Sequence, residues 1–196
     1  MNIGFIGTGL MGSPMIKNLL KSKHKISIFN RTISKAKKLK KYGAYLSYKI
    51  EELVKDKEII ITMLTDDKAV NDIIRSKTFL NNVCKQTTVI DMSSTKPSTA
   101  LDNYKTLKKR GVYFLDAPVS GGTKGAESAS LAIMVGGEKK IYKKNLKVLK
   151  MLGIPNYVGK PSSGQAAKLA NQIIVGITIG AVSEAIILSK KLGLKP

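Results

Sequence analysis

Apolar residues along this chain gather into short β-branched runs, and longer stretches with a one-sided apolar pattern separate them. Asn2–Ile6 (NIGFI) is the first such run, and Ile26–Phe29, Glu58–Met63 (EIIITM), Thr88–Asp91, Val112–Leu115 and Leu131–Val135 follow at intervals. Uninterrupted β-branched runs of this length read as strands covered on both faces. The stretches between them carry helix punctuation. A helix runs from a glycine turn to about Lys21, and Ser34 is placed to cap a lysine-rich helix that stops before Gly43. Asp66 or Asp67 can cap another, and Pro97 suits the first turn of a helix ending near Gly111. A helix over Glu138–Met151 and a short strand at Tyr157-Val158 complete the series. Strand alternating with helix predicts an α/β fold: a Rossmann-type, doubly wound, mostly parallel sheet with helices on both faces.

The pattern changes after the small-residue joint Gly159–Gly164 (GKPSSG). A long helix is expected from about Gln165 to Leu192, with no polar face wide enough for solvent, and therefore buried on most sides. Gly176 and Gly180, four apart, would let another helix approach closely. We divide the chain into a dinucleotide-binding domain over 1–161 and the first long helix of an all-α domain over 162–196. The run Ile173–Leu188 is also the one candidate membrane span. Glu184 lies inside it and Lys168, Asn171 and Gln172 stand at its start, whereas a span needs about 20 apolar residues with few charges. A core helix is the reading, with no membrane.

Composition narrows the function classes. The 196 residues carry 34 Lys+Arg against 13 Asp+Glu, a formal charge of +21, which raises nucleic-acid binding as a possibility. Only Arg31, Arg75 and Arg110 are arginines, and the lysines are spread from Lys17 to Lys195, so a solvated lysine surface is preferred and nucleic acid is not the expected partner. The single cysteine, Cys84, allows no internal disulfide, and no secretory leader is legible at Met1–Ile6, which together suggest a cytoplasmic protein. Neither His24 nor Cys84 has neighbours at ligand spacing, so no metal site is expected.

Three stretches carry chemistry. Gly7-Thr8-Gly9-Leu10-Met11-Gly12 has the GxGxxG spacing between a strand and a helix. There Gly7 permits the tight turn, Gly9 lets the backbone approach a pyrophosphate, and Gly12 allows the helix to pack on the sheet. The second strand ends in Asn30-Arg31-Thr32 with no carboxylate to hold a ribose 2′-hydroxyl, so NADP is expected in preference to NAD. Arg31 can pair with the 2′-phosphate, and Asn30 and Thr32 can hydrogen-bond it. Asp116-Ala117-Pro118-Val119-Ser120-Gly121-Gly122 follows a strand and lies on the carboxyl edge of the sheet, where exposed glycine N–H groups and the Ser120 hydroxyl can hold a carboxylate; a plain structural turn is the competing reading. Gly164–Gln172 (GQAAKLANQ) opens the long apolar helix and puts Lys168 and Asn171 on one face. A lysine entering a buried helix has its pKa lowered, as suits a proton donor at neutral pH, or else it snorkels to water at the helix start.

Together these stretches resemble the 3-hydroxyisobutyrate dehydrogenase family of β-hydroxyacid dehydrogenases. GFIGTGLMGSPMIKNL resembles its opening fingerprint, DAPVSGGTKGA its substrate signature and GQAAKLANQ its catalytic stretch, with ITML (Ile61–Leu64) and DMSST (Asp91–Thr95) similar to its other cofactor-side loops. The resemblance implies hydride transfer between a nicotinamide and the carbonyl carbon of a small carboxylate-bearing semialdehyde or 3-hydroxy acid. By position it makes Lys168 the acid–base group, Asn171 its partner at the substrate, and Ser120, Gly121 and Gly122 the carboxylate clamp. Leu64, Thr65 and Ser94 fall to the cofactor's ribose and nicotinamide side. KLANQIIV and AVSEA are similar to tartronate semialdehyde reductases (2-hydroxy-3-oxopropionate reductases), while Asn30-Arg31-Thr32 is more like the NADP-using semialdehyde and glyoxylate reductases of the same family. The family implies a homo-oligomer and about a hundred further helical residues. Without that domain the chain is expected to bind NADPH poorly and to bare one face of its last helix. The competing readings are a non-catalytic module that contacts nucleic acid and an inactive fragment.

Overall fold

The computed structural model describes residues 1–195. The chain begins β1 (Asn2–Ile6), α1 (Gly12–Leu20), β2 (Lys25–Phe29), α2 (Ile33–Lys37), β3 (Tyr45–Leu46) and α3 (Ile50–Val54). It continues β4 (Ile59–Thr62), α4 (Asp67–Ile74), α5 (Lys77–Asn82), β5 (Thr88–Asp91), α6 (Pro97–Lys108) and β6 (Tyr113–Asp116). Then come β7 (Val119–Ser120), α7 (Gly122–Glu127), β8 (Leu131–Gly137), α8 (Lys139–Lys150), β9 (Gly153–Gly159) and α9 (Ser163–Lys191).

Among the described residues the strands join one sheet in the order β3-β2-β1-β4-β5-β6-β8-β7, with β9 on β8. From β3 to β6 all pairings are parallel; β8 runs antiparallel to β6 and β7, and β9 is parallel to β8. This is the doubly wound, Rossmann-type α/β architecture, followed by a long C-terminal helix. The strand pattern explains it. In β4 every residue is buried, with Ile59 and Ile61 in one apolar cluster and Ile60 in the other, because successive side chains point to opposite faces. One cluster packs Met15, Ile16 and Leu19 of α1 on the sheet, and the other packs Val70 and Ile74 of α4 with Leu107 of α6.

Local corrections are small. Thr32, not Ser34, is the residue before the second helix, and that helix is only five residues long, followed by a 3-10 turn at Lys40–Tyr42. The last strand covers seven residues rather than two. The large correction is α9. Instead of being buried on most sides, it buries only Gly164, Gln165 and Lys168, and every residue from 172 to 188 is exposed. Its first turns pack against β6, β8, β9 and α6, and among the described residues no element covers the rest. An 18-residue window of α9 has a mean hydropathy of 1.8 and is not buried at all.

Candidate active site

Topology decides where a ligand fits. From β1 the chain winds one way to β2 and β3, then returns to β4 on the other side, leaving a crevice beyond the carboxyl ends of β1 and β4. The glycine turn lies there. Gly7 has φ +105°, and a Cβ on it would collide with the Met63 carbonyl at the end of β4. A Cβ on Gly12 would collide with the Gly7 carbonyl, so these two glycines are demanded by the fold itself. Gly9 differs: a Cβ there meets nothing within 4 Å, so the space beside it is open to a ligand. Helix α1 has no side-chain cap; its Ser13 N–H donates to the Gly9 carbonyl at 3.0 Å and Pro14 has no N–H, so the positive end of the helix, rather than a row of free first-turn amides, is what it offers an anion. These features fit a dinucleotide pyrophosphate.

Asn30 lines the groove beyond the glycine turn and also braces the turn itself. Its Oδ1 accepts the Thr8 N–H at 2.9 Å and its Nδ2 donates to the Thr32 carbonyl at 3.0 Å, so the amide ties the glycine turn to the end of β2. Arg31 and Thr32 are exposed and line a groove of about 390 Å³, together with Gly7, Gly9, Leu64 and Thr65. Lys35, which the sequence reasoning missed, lines it too, one helical turn beyond Arg31. Leu10 is 85% exposed at the tip of the turn and Met11 is half-buried beneath it. Ser94 is exposed and stands apart from this groove. Its neighbour Ser93 is fully buried, and its hydroxyl accepts the Leu64 N–H at 2.9 Å. The loop after β4 is thereby tied to the loop after β5.

The second half of the site assembles around α9. Lys168 is 9% exposed, and burial lowers its ammonium pKa below the usual lysine range. One turn on, Asn171 Nδ2 lies 3.3 Å from Ser120 Oγ, so α9 meets the turn after β7 directly. Gly121 and Gly122 adopt φ +132° and +60° and are exposed, a conformation that glycine takes without strain. Asn171 and Ser120, placed together on sequence grounds, do touch, and Lys168 lies on the same helix one turn away. Chemically, a buried ammonium beside an amide–hydroxyl pair can donate a proton to a carbonyl oxygen whose carboxylate is held by Ser120 and the glycine N–H groups. Among the described residues no group of three or more His, Cys, Asp or Glu is placed to hold a metal ion.

Comparison with known proteins agrees with this fold. The family model described as the NAD binding domain of 6-phosphogluconate dehydrogenase matches residues 2–180. The chain is 38% identical over 194 residues to mitochondrial 3-hydroxyisobutyrate dehydrogenase of Drosophila melanogaster, covering 98% of this chain and 60% of that protein. It is 34% identical over 196 residues to glyoxylate/succinic semialdehyde reductase 1 of Arabidopsis thaliana, covering 99% of this chain and 68% of that protein. The solved structure of Mycobacterium tuberculosis 3-hydroxyisobutyrate dehydrogenase with L-serine is similar at a TM-score of 0.93 and 32% identity, covering 99% of this chain and 66% of that one. The chain thus spans 60%, 68% and 66% of the lengths of these three relatives.

Proposed function

This chain belongs to the 3-hydroxyisobutyrate dehydrogenase family, and on that premise we propose that it supplies the dinucleotide-binding and proton-donating parts of an NADP-dependent oxidoreductase. Its substrate is a small carboxylate-bearing semialdehyde, reduced to the matching 3-hydroxy acid. The observation that carries this reading is the burial of Lys168 one turn from Asn171, which in turn touches Ser120.

When bound, the nicotinamide supplies the hydride. The chain does the rest. The glycine turn and the start of α1 hold the pyrophosphate, and Arg31, Thr32 and Lys35 take a 2′-phosphate; the β2 end carries no carboxylate, while Asp66 and Asp72 line the same groove, where the charges of Lys68 and Lys35 offset them. Ser120 Oγ with the N–H groups of Gly121 and Gly122 orients the substrate carboxylate. Asn171 Nδ2 fixes the carbonyl oxygen, and Lys168 Nζ gives it a proton as negative charge develops there. In the oxidising direction Lys168 takes the proton back. The family names of the relatives support hydroxyacid and semialdehyde chemistry.

The test is NADPH oxidation by the purified protein against tartronate, methylmalonate and succinate semialdehydes and glyoxylate. Lys168→Ala is expected to lower kcat by about a hundredfold or more, on the usual scale of a lost acid–base group. Activity unchanged by that substitution refutes the assignment. Arg31→Ala is expected to weaken NADPH about tenfold while leaving NADH within twofold, the size of one charge-assisted pair; an equal loss for both cofactors removes the NADP preference.

A further inference from the structure

The helix that carries Lys168 is not capped by any side chain of its own. Its first amides are satisfied from a different part of the fold. Asp116, the last residue of β6, accepts the Ser162 N–H at 2.9 Å through Oδ1 and the Gln165 N–H at 3.0 Å through Oδ2. A carboxylate across the free amides at a helix start both fills their hydrogen bonds and opposes the helix dipole. The contact leaves no room for adjustment. A Cβ on Gly136 would lie 2.6 Å from Asp116 Oδ1 and 2.7 Å from the Gly164 nitrogen, and a Cβ on Gly164 would lie 2.9 Å from Asp116 Oδ2. Only glycine fits on either side of this carboxylate. Ser162 is held at φ +79°, a left-handed conformation that a serine adopts only where its surroundings impose it.

A second tie enters from Gln165, which is fully buried. Its Oε1 accepts the Thr95 N–H at 3.0 Å and its Nε2 donates to the Ser93 carbonyl at 2.8 Å. The root of α9 is therefore bound to the ends of β5 and β6 together. Lys168 follows Gln165 by three residues, less than one helical turn.

We propose that Asp116 is a positioning residue for Lys168: its carboxylate fixes the first turn of α9 and so sets the place of the lysine, one turn before the Asn171 that meets Ser120. The proposal rests on the reading of Lys168 as proton donor, and the experiment below separates the two. The groups facing Asp116 are few. Asp91 on β5 is its acidic neighbour, β8 offers the bare backbone of Gly136, and α9 offers N–H groups. Burial pushes the Asp116 carboxyl up to about 6, with the backbone hydrogen bonds of Gln165 and Ser162 acting against it. Because the seated value lies above the unfolded one, the seat is strongest with the carboxyl protonated and weakens as pH rises through about 6.

The experiment is competitive acylation of the protein's lysines with trace acetic anhydride, read by mass spectrometry from pH 5 to 9, with no cofactor present. Other exposed lysines serve as the internal standard. In the unsubstituted protein Lys168 should label well below that standard across the range, because the seated helix root keeps it from water. In Asp116→Asn it should label like the exposed lysines, with its lowered pKa returned toward the ordinary lysine value. In the same variant kcat should fall about tenfold to a hundredfold, the cost of a misplaced catalytic group, while KM for NADPH changes less than twofold. A Lys168 that labels like the exposed standard in the unsubstituted protein overturns the proposal even if Asp116→Asn does not fold. So does an Asp116→Asn protein whose Lys168 labels as in the parent. If Lys168→Ala keeps its activity, the catalytic reading fails, and the labelling result still decides whether Asp116 positions the lysine.

Discussion

At the scale of single residues, the three glycines of the turn are not equivalent. Gly12 has a carbonyl where a Cβ would go, whereas Gly9 has open space. Gly12→Ala is expected to destabilise the fold by about 1–3 kcal/mol, the usual cost of overpacking. Gly9→Val should melt within a degree or two of the parent and bind dinucleotide about tenfold or more worse. Thermal melts paired with NADPH fluorescence titrations check both, and a Gly9→Val protein that binds normally contradicts the pyrophosphate assignment. Asp91 makes a separate prediction. It is completely buried, its Oδ1 accepts from Thr62 Oγ1 at 2.8 Å and from the Ser93 N–H at 3.1 Å, and its Oδ2 has no protein partner. Burial pushes its carboxyl up to about 6. A carboxyl raised above its unfolded value adds stability that is full below about pH 4 and is lost as pH rises through about 6. The difference is on the order of 3 kcal/mol. Urea denaturation from pH 4 to 7 should show stability falling up to about pH 6 and a shallower fall in Asp91→Asn; identical profiles would contradict the burial account. Legibility at this scale was uneven. Ser120, Asn171 and Lys168 stand out in the sequence because each follows a recognisable strand end or starts a helix, and their roles came from the family resemblance. Ser93 was not distinguishable from Ser94, since which of two adjacent serines turns inward depends on the register of β5 with β4. The brace from Asn30 was not legible, because the linear pattern does not show that its amide reaches back 22 residues to Thr8.

At the scale of elements, the long strands were legible because doubly buried strands need continuous apolar runs, and β1, β4 and β5 have them. The short elements β3, α3, α5, β7 and α7 were missed, for two- to six-residue pieces carry too little periodicity to separate from turns. Helix α9 was legible as a helix but not in its surroundings. Its apolar character says that it is made to be covered, and the pattern alone cannot say by what. Ile173, Ile174, Ile177 and Ile179 are each more than 60% exposed. We expect chain 1–196 by itself to bind an environment-sensitive apolar dye strongly. Ile174→Lys with Ile177→Lys should cut the dye signal severalfold while leaving the melting temperature unchanged, because those side chains contribute nothing to the packed body. A melting temperature lowered by the pair shows that these positions are buried in solution.

For the whole molecule, charge was the least informative feature. Thirty-four basic residues against thirteen acidic ones suggested a polyanion partner. Arg31, Lys35 and Lys68 line the groove beside the glycine turn, and Lys168 is buried at the root of α9. What ranks the functional readings is the order of the strands, which sets the glycine turn at the carboxyl ends of β1 and β4.

The firm seating of α9 on Asp116 has a mechanical corollary. A helix of 29 residues extends about 44 Å at 1.5 Å per residue. Pivoted at its seat, it is a lever with Lys168 near the fulcrum and Lys190 close to the free tip. A tilt of about 5° displaces the lysine by about 0.7 Å and the tip by about 3–4 Å. Adjustments too small to disturb proton transfer are thus magnified at the distal end, where a spectroscopic reporter would register what the catalytic groups barely feel.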